Sequence, residues 1–308
     1  MTIRFDNRVA IVTGAGNGLG RAHALLLASR GARVVVNDPG GAVDGKGGDH
    51  AAADKVVAEI KAAGGQAVPN YDSVADPKSA ANIVKTAVDS FGTIDIVVNN
   101  AGVLRDKTFH NMTVDDFDFV VKVHFLGTAY VTHAAWPIMR AKAYGRIVVT
   151  SSNSGIYGNF GQANYGAAKM ALVGLMQTLA IEGEKYGIRV NCLAPTAATG
   201  MTEGVLSDES LRLLDPALVS PGLFALVGDE APTRAILGAG AGHFATSNVT
   251  LTPGLYVGGG ADAGQQVAAG WSAVSARDGE LVPAYGFTQA ERELASAGYS
   301  EAVTVAHG

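Results

Sequence analysis

The sequence predicts an α/β fold: a doubly wound, mostly parallel sheet flanked by helices, followed by a C-terminal extension. Three observations carry that reading. Over the first two-thirds of the chain, short β-branched runs alternate with Ala-rich segments of helical periodicity. The strand runs are continuously apolar, as in strands covered on both faces. No Pro/Gly/Ser-rich linker interrupts the alternation, so it belongs to one domain. Right-handed crossovers between parallel strands complete the expected topology.

Each element follows in turn. Val9-Ala10-Ile11-Val12 is the first strand, followed by a Gly-rich turn and a helix over residues 21–29. Val34-Val35-Val36 is the second strand, and residues 51–63 form its helix. Residues 66–68 form the third, with a helix opening near Pro77, a residue suited to a first helical turn. The fourth strand covers residues 94–98. Residues 113–139 read as one long helix, capped by Thr113 and carrying Asp115 and Asp116 in its first turn. The fifth strand covers 147–150, a second long helix 165–186, and the sixth strand 188–193. Beyond Pro195 the pattern weakens into short helices and loops over 202–226 and a last central strand at 234–237. A small hairpin around Thr252-Pro253-Gly254 is expected within 243–257. Residues 1–260 are thus expected as one catalytic domain. Residues 261–308 form an Ala- and Gly-rich extension of unassigned role, helical over 291–297.

Composition narrows the function classes. The 308 residues carry 23 Lys and Arg against 28 Asp and Glu, a formal charge of −5. That argues against a broad basic surface for nucleic acid or anionic lipid. Hydrophobic residues make up 48% and charged residues 17%, the balance of a globular chain. No apolar run approaches the roughly 20 residues of a membrane span. The opening MTIRFDNR lacks an apolar signal core. A single cysteine, Cys192, excludes an intrachain disulfide and a cysteine-based zinc cluster. It is expected in the sixth strand as a buried small apolar residue away from the chemistry. The expectation is a soluble chain of a reducing compartment, with no metal and no nucleic-acid or membrane partner.

The first strand runs into Thr13-Gly14-Ala15-Gly16-Asn17-Gly18-Leu19-Gly20. Glycines let the backbone approach a pyrophosphate, and the next helix then offers unpaired N–H groups and its positive dipole end. The spacing through Gly14, Gly18 and Gly20 is G-x-x-x-G-x-G, and a tight turn without a ligand is the alternative. The second strand ends at Asp38, where a carboxylate can accept hydrogen bonds from the adenosine ribose and repel a 2′-phosphate. No Lys or Arg occupies position 17 or flanks Asp38, so NAD is favoured over NADP. A solvated strand-end aspartate is the bland alternative. A second cluster, Gly40, Gly41, Gly45, Gly47 and Gly48 with Lys46, lacks the Lys-Ser/Thr ending of a phosphate loop and reads as a flexible surface loop.

Tyr165 and Lys169 are four residues apart on a helix, hence on one face. A lysine ammonium beside a phenol favours phenolate, lowering its pKa so that it can exchange a proton with a hydroxyl or carbonyl. The fifth strand runs into Thr150-Ser151-Ser152, and strand ends of open sheets line the ligand crevice. A serine there can orient a carbonyl oxygen or serve only as a turn or cap. The fourth strand ends Asn99-Asn100-Ala101-Gly102, small enough for close cofactor approach or for a plain turn.

Together these motifs resemble the short-chain dehydrogenase/reductase family. The likeness covers roughly residues 5–200 and includes Asp72 after the third strand and Pro195-Thr196 after the sixth. It implies a Rossmann fold, an NAD cofactor, and Ser152, Tyr165 and Lys169 as the catalytic set. Tyr165 is then the acid/base, Lys169 binds the nicotinamide ribose and tunes the tyrosine, and Ser152 holds the reacting oxygen. It further implies cofactor contacts by Gly14, Asn17, Gly18, Leu19, Gly20, Asp38, Asp72, Ser73, Val74, Asn100, Ala101, Gly102, Pro195, Thr196 and Ala197, besides Tyr165 and Lys169. One departure stands out: His124 takes the place of an asparagine that many members use in a proton relay. It serves that relay or is a core histidine bonded to backbone.

Within the family, Asn37-Asp38-Pro39-Gly40-Gly41, Asn70-Tyr71-Asp72-Ser73-Val74 and residues 154–165 resemble the (3R)-hydroxyacyl-CoA dehydrogenase branch. The resemblance implies oxidation of (3R)-3-hydroxyacyl-CoA to 3-ketoacyl-CoA. A 17β-hydroxysteroid substrate is the close alternative, and a non-catalytic NAD-binding regulator is the alternative of another class. Tyr157 and Phe160 wall the substrate cleft or merely pack their loop. Residues 200–230 act as a substrate lid or as an ordinary packed helix. A homodimer or homotetramer, through the two long helices, and a cytoplasmic location complete the expectations.

Overall fold

The computed structural model describes residues 3–45, 47–200 and 207–299. They divide into two compact units, residues 1–247 and 248–308. The first unit is built on an eight-stranded sheet of order β3-β2-β1-β4-β5-β6-β7-β8. Its strands are β1 (Val9–Thr13), β2 (Arg33–Asn37), β3 (Gln66–Asn70), β4 (Ile96–Asn99), β5 (Gly145–Thr150), β6 (Ile188–Pro195), β7 (Ile236–Gly240) and β8 (His243–Ser247). The first seven pair in parallel and β8 pairs antiparallel with β7.

The apolar strands are buried on both faces, as their pattern requires. Every residue of β1 is buried. Val9 and Ile11 join one core; Ala10 and Val12 join the other. The first core packs under α3 (Pro77–Phe91), α5 (Gly127–Ala141) and α7 (Ala163–Gly183). The second packs under α1 (Gly18–Ser29), α2 (Ala51–Ala62) and α9 (Ser220–Val227). The doubly wound α/β prediction therefore holds.

Two local expectations need correction. The stretch 113–139 is not one uniform α-helix. Thr113 does cap its start, its hydroxyl accepting from Asp116 N at 3.1 Å. But α4 (Val114–Val121) is followed by a π-helical turn, Lys122–Leu126, before α5 begins. The hairpin lies ahead of Thr252-Pro253-Gly254: β7 and β8 are joined by Ala241 and Gly242, with φ of 49° and 75°. Two consecutive positive φ values make the two-residue turn whose twist matches paired strands. Alanine in the first place hid that signal.

The second unit is small. Leu251 and Leu281 exchange backbone hydrogen bonds. Arg292, on a helix at Phe287–Ser296, donates to Thr252 O at 2.7 Å. The division falls after Ser247, ahead of residue 260.

One buried carboxylate ties the opposite end of the sheet together. Asp95 accepts from Val9 N at 2.8 Å and from Lys142 Nζ at 2.5 Å, while Arg8 lies 3.5 Å away. It joins the start of β1 to β4 and to the end of α5. Asp95→Ala should leave Val9 N–H without this acceptor and the Lys142 ammonium, still bonded to the Ile94 carbonyl and Thr93, without its counter-charge, lowering unfolding free energy by about 3 kcal/mol. Asp95→Asn, which keeps an acceptor for Val9, should lose less. Urea unfolding of the three proteins checks this.

Candidate functional site

The C-terminal ends of β1, β4, β5 and β6 converge on one crevice. At β1 the chain turns through Gly14 into α1, and packing there is tight. A Cβ built on Gly20 would lie 2.1 Å from the Gly14 carbonyl oxygen. Asn17 makes no side-chain cap, so the first-turn N–H groups of α1 keep no side-chain acceptor from it. Leu19 packs against the second core. The β4 loop is clasped onto this cradle: Asn100 Nδ2 donates to Thr13 O at 3.0 Å and Gly14 O at 3.1 Å, and Thr13 Oγ1 accepts from Asn100 N and Ala101 N. Thr13, the residue that opens the glycine-rich stretch, thus organises the site through its hydroxyl and carbonyl.

Asp38 leaves the end of β2 pointing at the cradle. Its Oδ2 accepts from Gly16 N at 2.8 Å and its Oδ1 from Gly40 N at 2.7 Å. A carboxylate has lone pairs to spare for further donors. Asp72 is held by Asn70 Nδ2 at 2.8 Å and Asn82 Nδ2 at 2.6 Å. Ser73 Oγ accepts from Ala75 N, and Val74 is buried against Gly127. Pro195 closes β6, Thr196 N donates to Ala239 O, and Ala197 is buried. The glycine cradle, the uncapped helix start and the carboxylate at the next strand end fit a dinucleotide: amides for its phosphates and an acceptor for its ribose.

Beyond β5, Ser152 caps the short helix α6 (Asn153–Tyr157), its hydroxyl accepting from Ser154 N at 3.1 Å. Tyr165 and Lys169 stand one turn apart near the start of α7, as the spacing predicts. The pairing differs in one respect from expectation. Lys169 Nζ donates to the Thr150 carbonyl at 2.5 Å and lies 5.5 Å from the centre of the Tyr165 ring. Burial lowers the Lys169 pKa to about 7. Burial also raises that of Tyr165, against the pull of the neighbouring Ser152 hydroxyl. At the phenol, burial outweighs what favours the phenolate.

His124 completes this corner from the π-helical turn. Its ring meets Tyr165 edge-on at 5.2 Å and fills the space beside Gly102. Its Nε2 lies 3.0 Å from Val103 N and 2.8 Å from Val103 O, while Nδ1 is buried without a partner. Burial first, then the Lys169 charge, holds its pKa well below the usual histidine range, so the ring is neutral. Cys192 lies nearer the chemistry than expected. On β6 it stands in register with Val149 of β5 and is buried, and burial pushes its thiol up to about 12 against the opposing charge of Lys169.

A cavity of about 280 Å³ opens beside α6. Ile156, Tyr157, Thr196, Leu214, Ala239, Ala245 and Ser247 are among its lining residues. Tyr157 is 73% exposed, yet its hydroxyl hydrogen-bonds Ser247 Oγ at 2.6 Å across the cavity edge. Phe160 is 88% exposed and is not part of the lining. The β7–β8 contribution was not visible in sequence, since it depends on where the hairpin turns. Of the expected lid, α8 (Asp208–Leu213) and α9 are described, Leu214 reaches the cavity, and residues 201–206 lie outside the described residues.

A parallel doubly wound sheet with this cradle and this Ser-Tyr-Lys corner defines a nicotinamide-type dehydrogenase scaffold. The chain belongs to the short-chain dehydrogenase family, whose model matches residues 8–210. It is 56% identical over 230 residues to a short-chain type dehydrogenase/reductase of Mycobacterium tuberculosis, covering 75% of this chain and 80% of that one. It is also 56% identical over 219 residues to mouse peroxisomal multifunctional enzyme type 2, covering 71% of this chain and 29% of that one. The solved full-length Drosophila melanogaster peroxisomal multifunctional enzyme type 2 superposes with a TM-score of 0.79 at 37% identity. That match covers 96% of this chain and 50% of the fly protein. The chain therefore spans a minor part of the mouse enzyme and half of the fly one.

The buried lysine gives a pH signature. Its folded pKa, about 7, lies below the ordinary 10.5, so the unfolded chain holds more protons between those values. Stability of the protein free of ligand should rise as pH climbs from 7 to 10.5. Below pH 7 the cost of burying the ammonium is present in full. Lys169→Met should lack that rise when unfolding midpoints are compared across the range.

Proposed function

We propose that this chain is an NAD-dependent dehydrogenase that oxidises the secondary alcohol of a (3R)-3-hydroxyacyl-CoA to the 3-ketoacyl-CoA. The observation that carries the proposal is the meeting of Ser152, after β5, with Tyr165 and Lys169 of α7 at the C-terminal edge of the sheet that also bears the dinucleotide cradle; a mainly apolar cavity, lined by Asn153 and Tyr157 but not by these three residues, opens at the helix that Ser152 caps. The cavity is close to the lower limit of ligand pockets, roughly 300 Å³. That size suits the reacting end of a flexible chain, whose CoA moiety stays outside. The resemblance of residues 154–165 to the (3R)-hydroxyacyl-CoA dehydrogenase branch supports the acyl-CoA substrate.

A bound nicotinamide would supply the hydride acceptor. The residues of the chain do the rest. Ser152 holds the alcohol oxygen, and Tyr165, as phenolate after its own proton has passed to solvent, takes the hydroxyl proton at its phenolic oxygen. Lys169, fixed by the Thr150 carbonyl, orients the ribose side of the site. Asp38 receives the adenosine ribose hydroxyls and opposes a 2′-phosphate by charge.

Two outcomes check this reading. An NADH-formation assay should show turnover of the (3R)-hydroxyacyl-CoA, with the (3S) isomer and a 17β-hydroxysteroid far slower. Tyr165→Phe should then lose about 10³-fold in kcat while still binding NADH. Faster turnover of the steroid would replace the acyl-CoA assignment. Separately, Asp38→Ala should narrow the preference for NAD over NADP about tenfold or more. Equal use of both by the unmodified protein contradicts the role given to Asp38.

A further inference from the structure

The second glycine cluster does not behave as a free loop. After Asp38 the chain doubles back on itself, and Asp49 N donates to the Gly40 carbonyl at 3.0 Å, pinching the base of the connection to α2. Its tip is docked at a distance. Leu104 N donates to the Val43 carbonyl at 2.9 Å, and Arg105 Nε to the Asp44 carbonyl at 3.2 Å. Gly45 has φ of +83° and meets Phe119 of α4 so closely that a Cβ there would lie 2.6 Å from the ring. Val43 also approaches Gly200 after β6, where an added Cβ would lie 3.2 Å from Val43 Cγ2.

Strand order gives these contacts their meaning. The segment is rooted at the end of β2 and docked on the loop after β4, and β1 lies between those two strands. To make both attachments it must cross the C-terminal end of β1, where the glycine cradle stands. The dinucleotide of the reading above would then lie between cradle and segment.

We propose that residues 39–45 form a strap roofing the dinucleotide site, so that cofactor enters and leaves only when the tip lifts from residues 103–105 and Phe119. This rests on the NAD reading above. Two backbone carbonyls of the strap accept hydrogen bonds from Leu104 and Arg105, and Gly45 adds a ring contact. That is enough to slow exchange and little enough to break in each turnover. Gly45 sets the fit, since a side chain there must push the tip away from Phe119.

The test is the rate of NADH release from the full chain, followed by stopped-flow fluorescence after displacement with excess NAD. Gly45→Ala should accelerate release about tenfold, the loss expected when both docking bonds go. Phe119→Ala, removing the other half of the contact, should accelerate it similarly. Circular dichroism melting separates this from misfolding: the glycine variant should still melt in one cooperative transition, only slightly below the parent. Tight NADH binding with release unchanged in both variants overturns the strap and leaves the NAD reading standing. Failure of the unmodified chain to bind NADH overturns both.

Discussion

The site depends on how the two central strands end. β1 and β4 are adjacent, buried on both faces, and stop at the same edge. There their last carbonyls need partners that no further strand residue supplies. Asn100 and Thr13 meet that need reciprocally: an amide donates to two carbonyls of the cradle, and a hydroxyl accepts two N–H groups of the opposing loop. This clasp fixes the distance between the glycine turn and the β4 loop. The β4 loop in turn sets His124, through Val103, and His124 sets the wall against which Tyr165 stands. The catalytic corner is therefore anchored to the phosphate cradle by a short chain of hydrogen bonds and one ring contact.

The fold was legible because its signal is repetitive. Continuous apolar runs such as Val9–Val12 admit only strands covered on both faces, and each Ala-rich segment supplied a cover. The cradle was legible too, since its glycines are adjacent in sequence. What escaped depends on distant partners. Residues 113–139 keep an apolar period close to 3.6, which a single π-helical turn hardly disturbs. The hairpin turn uses Ala241 at positive φ, where glycine or asparagine would have marked it. The loop of residues 39–45 looks unconstrained because its anchors, Leu104, Arg105 and Phe119, lie about sixty or more residues away.

The Tyr165–Lys169 pair shows the same division at the level of chemistry. The four-residue spacing placed both groups on one face. It did not say that the Thr150 carbonyl would hold the amine, nor that burial would raise the proton affinity of the phenol. Local spacing fixes neighbourhood; the sign of a proton affinity depends on everything that excludes water around it. Cys192 belongs to the same shell, an uncharged thiol lying beside the lysine.

The π-helical turn at Lys122–Leu126 governs phase. One residue more than a regular helix needs is accommodated there, and each residue of an α-helix advances the face by about 100°. The turn thus lets α4 and α5 keep separate rotational settings along one continuous rod. α5 presents Val131, Ala135 and Met139 to the core, while the turn itself aims His124 at Tyr165. Removing a single residue there would rotate one half against the other. Either the apolar stripe or the histidine would then face the wrong way. Phase, more than the identity of any one side chain, joins the packing of this helix to the geometry of the site.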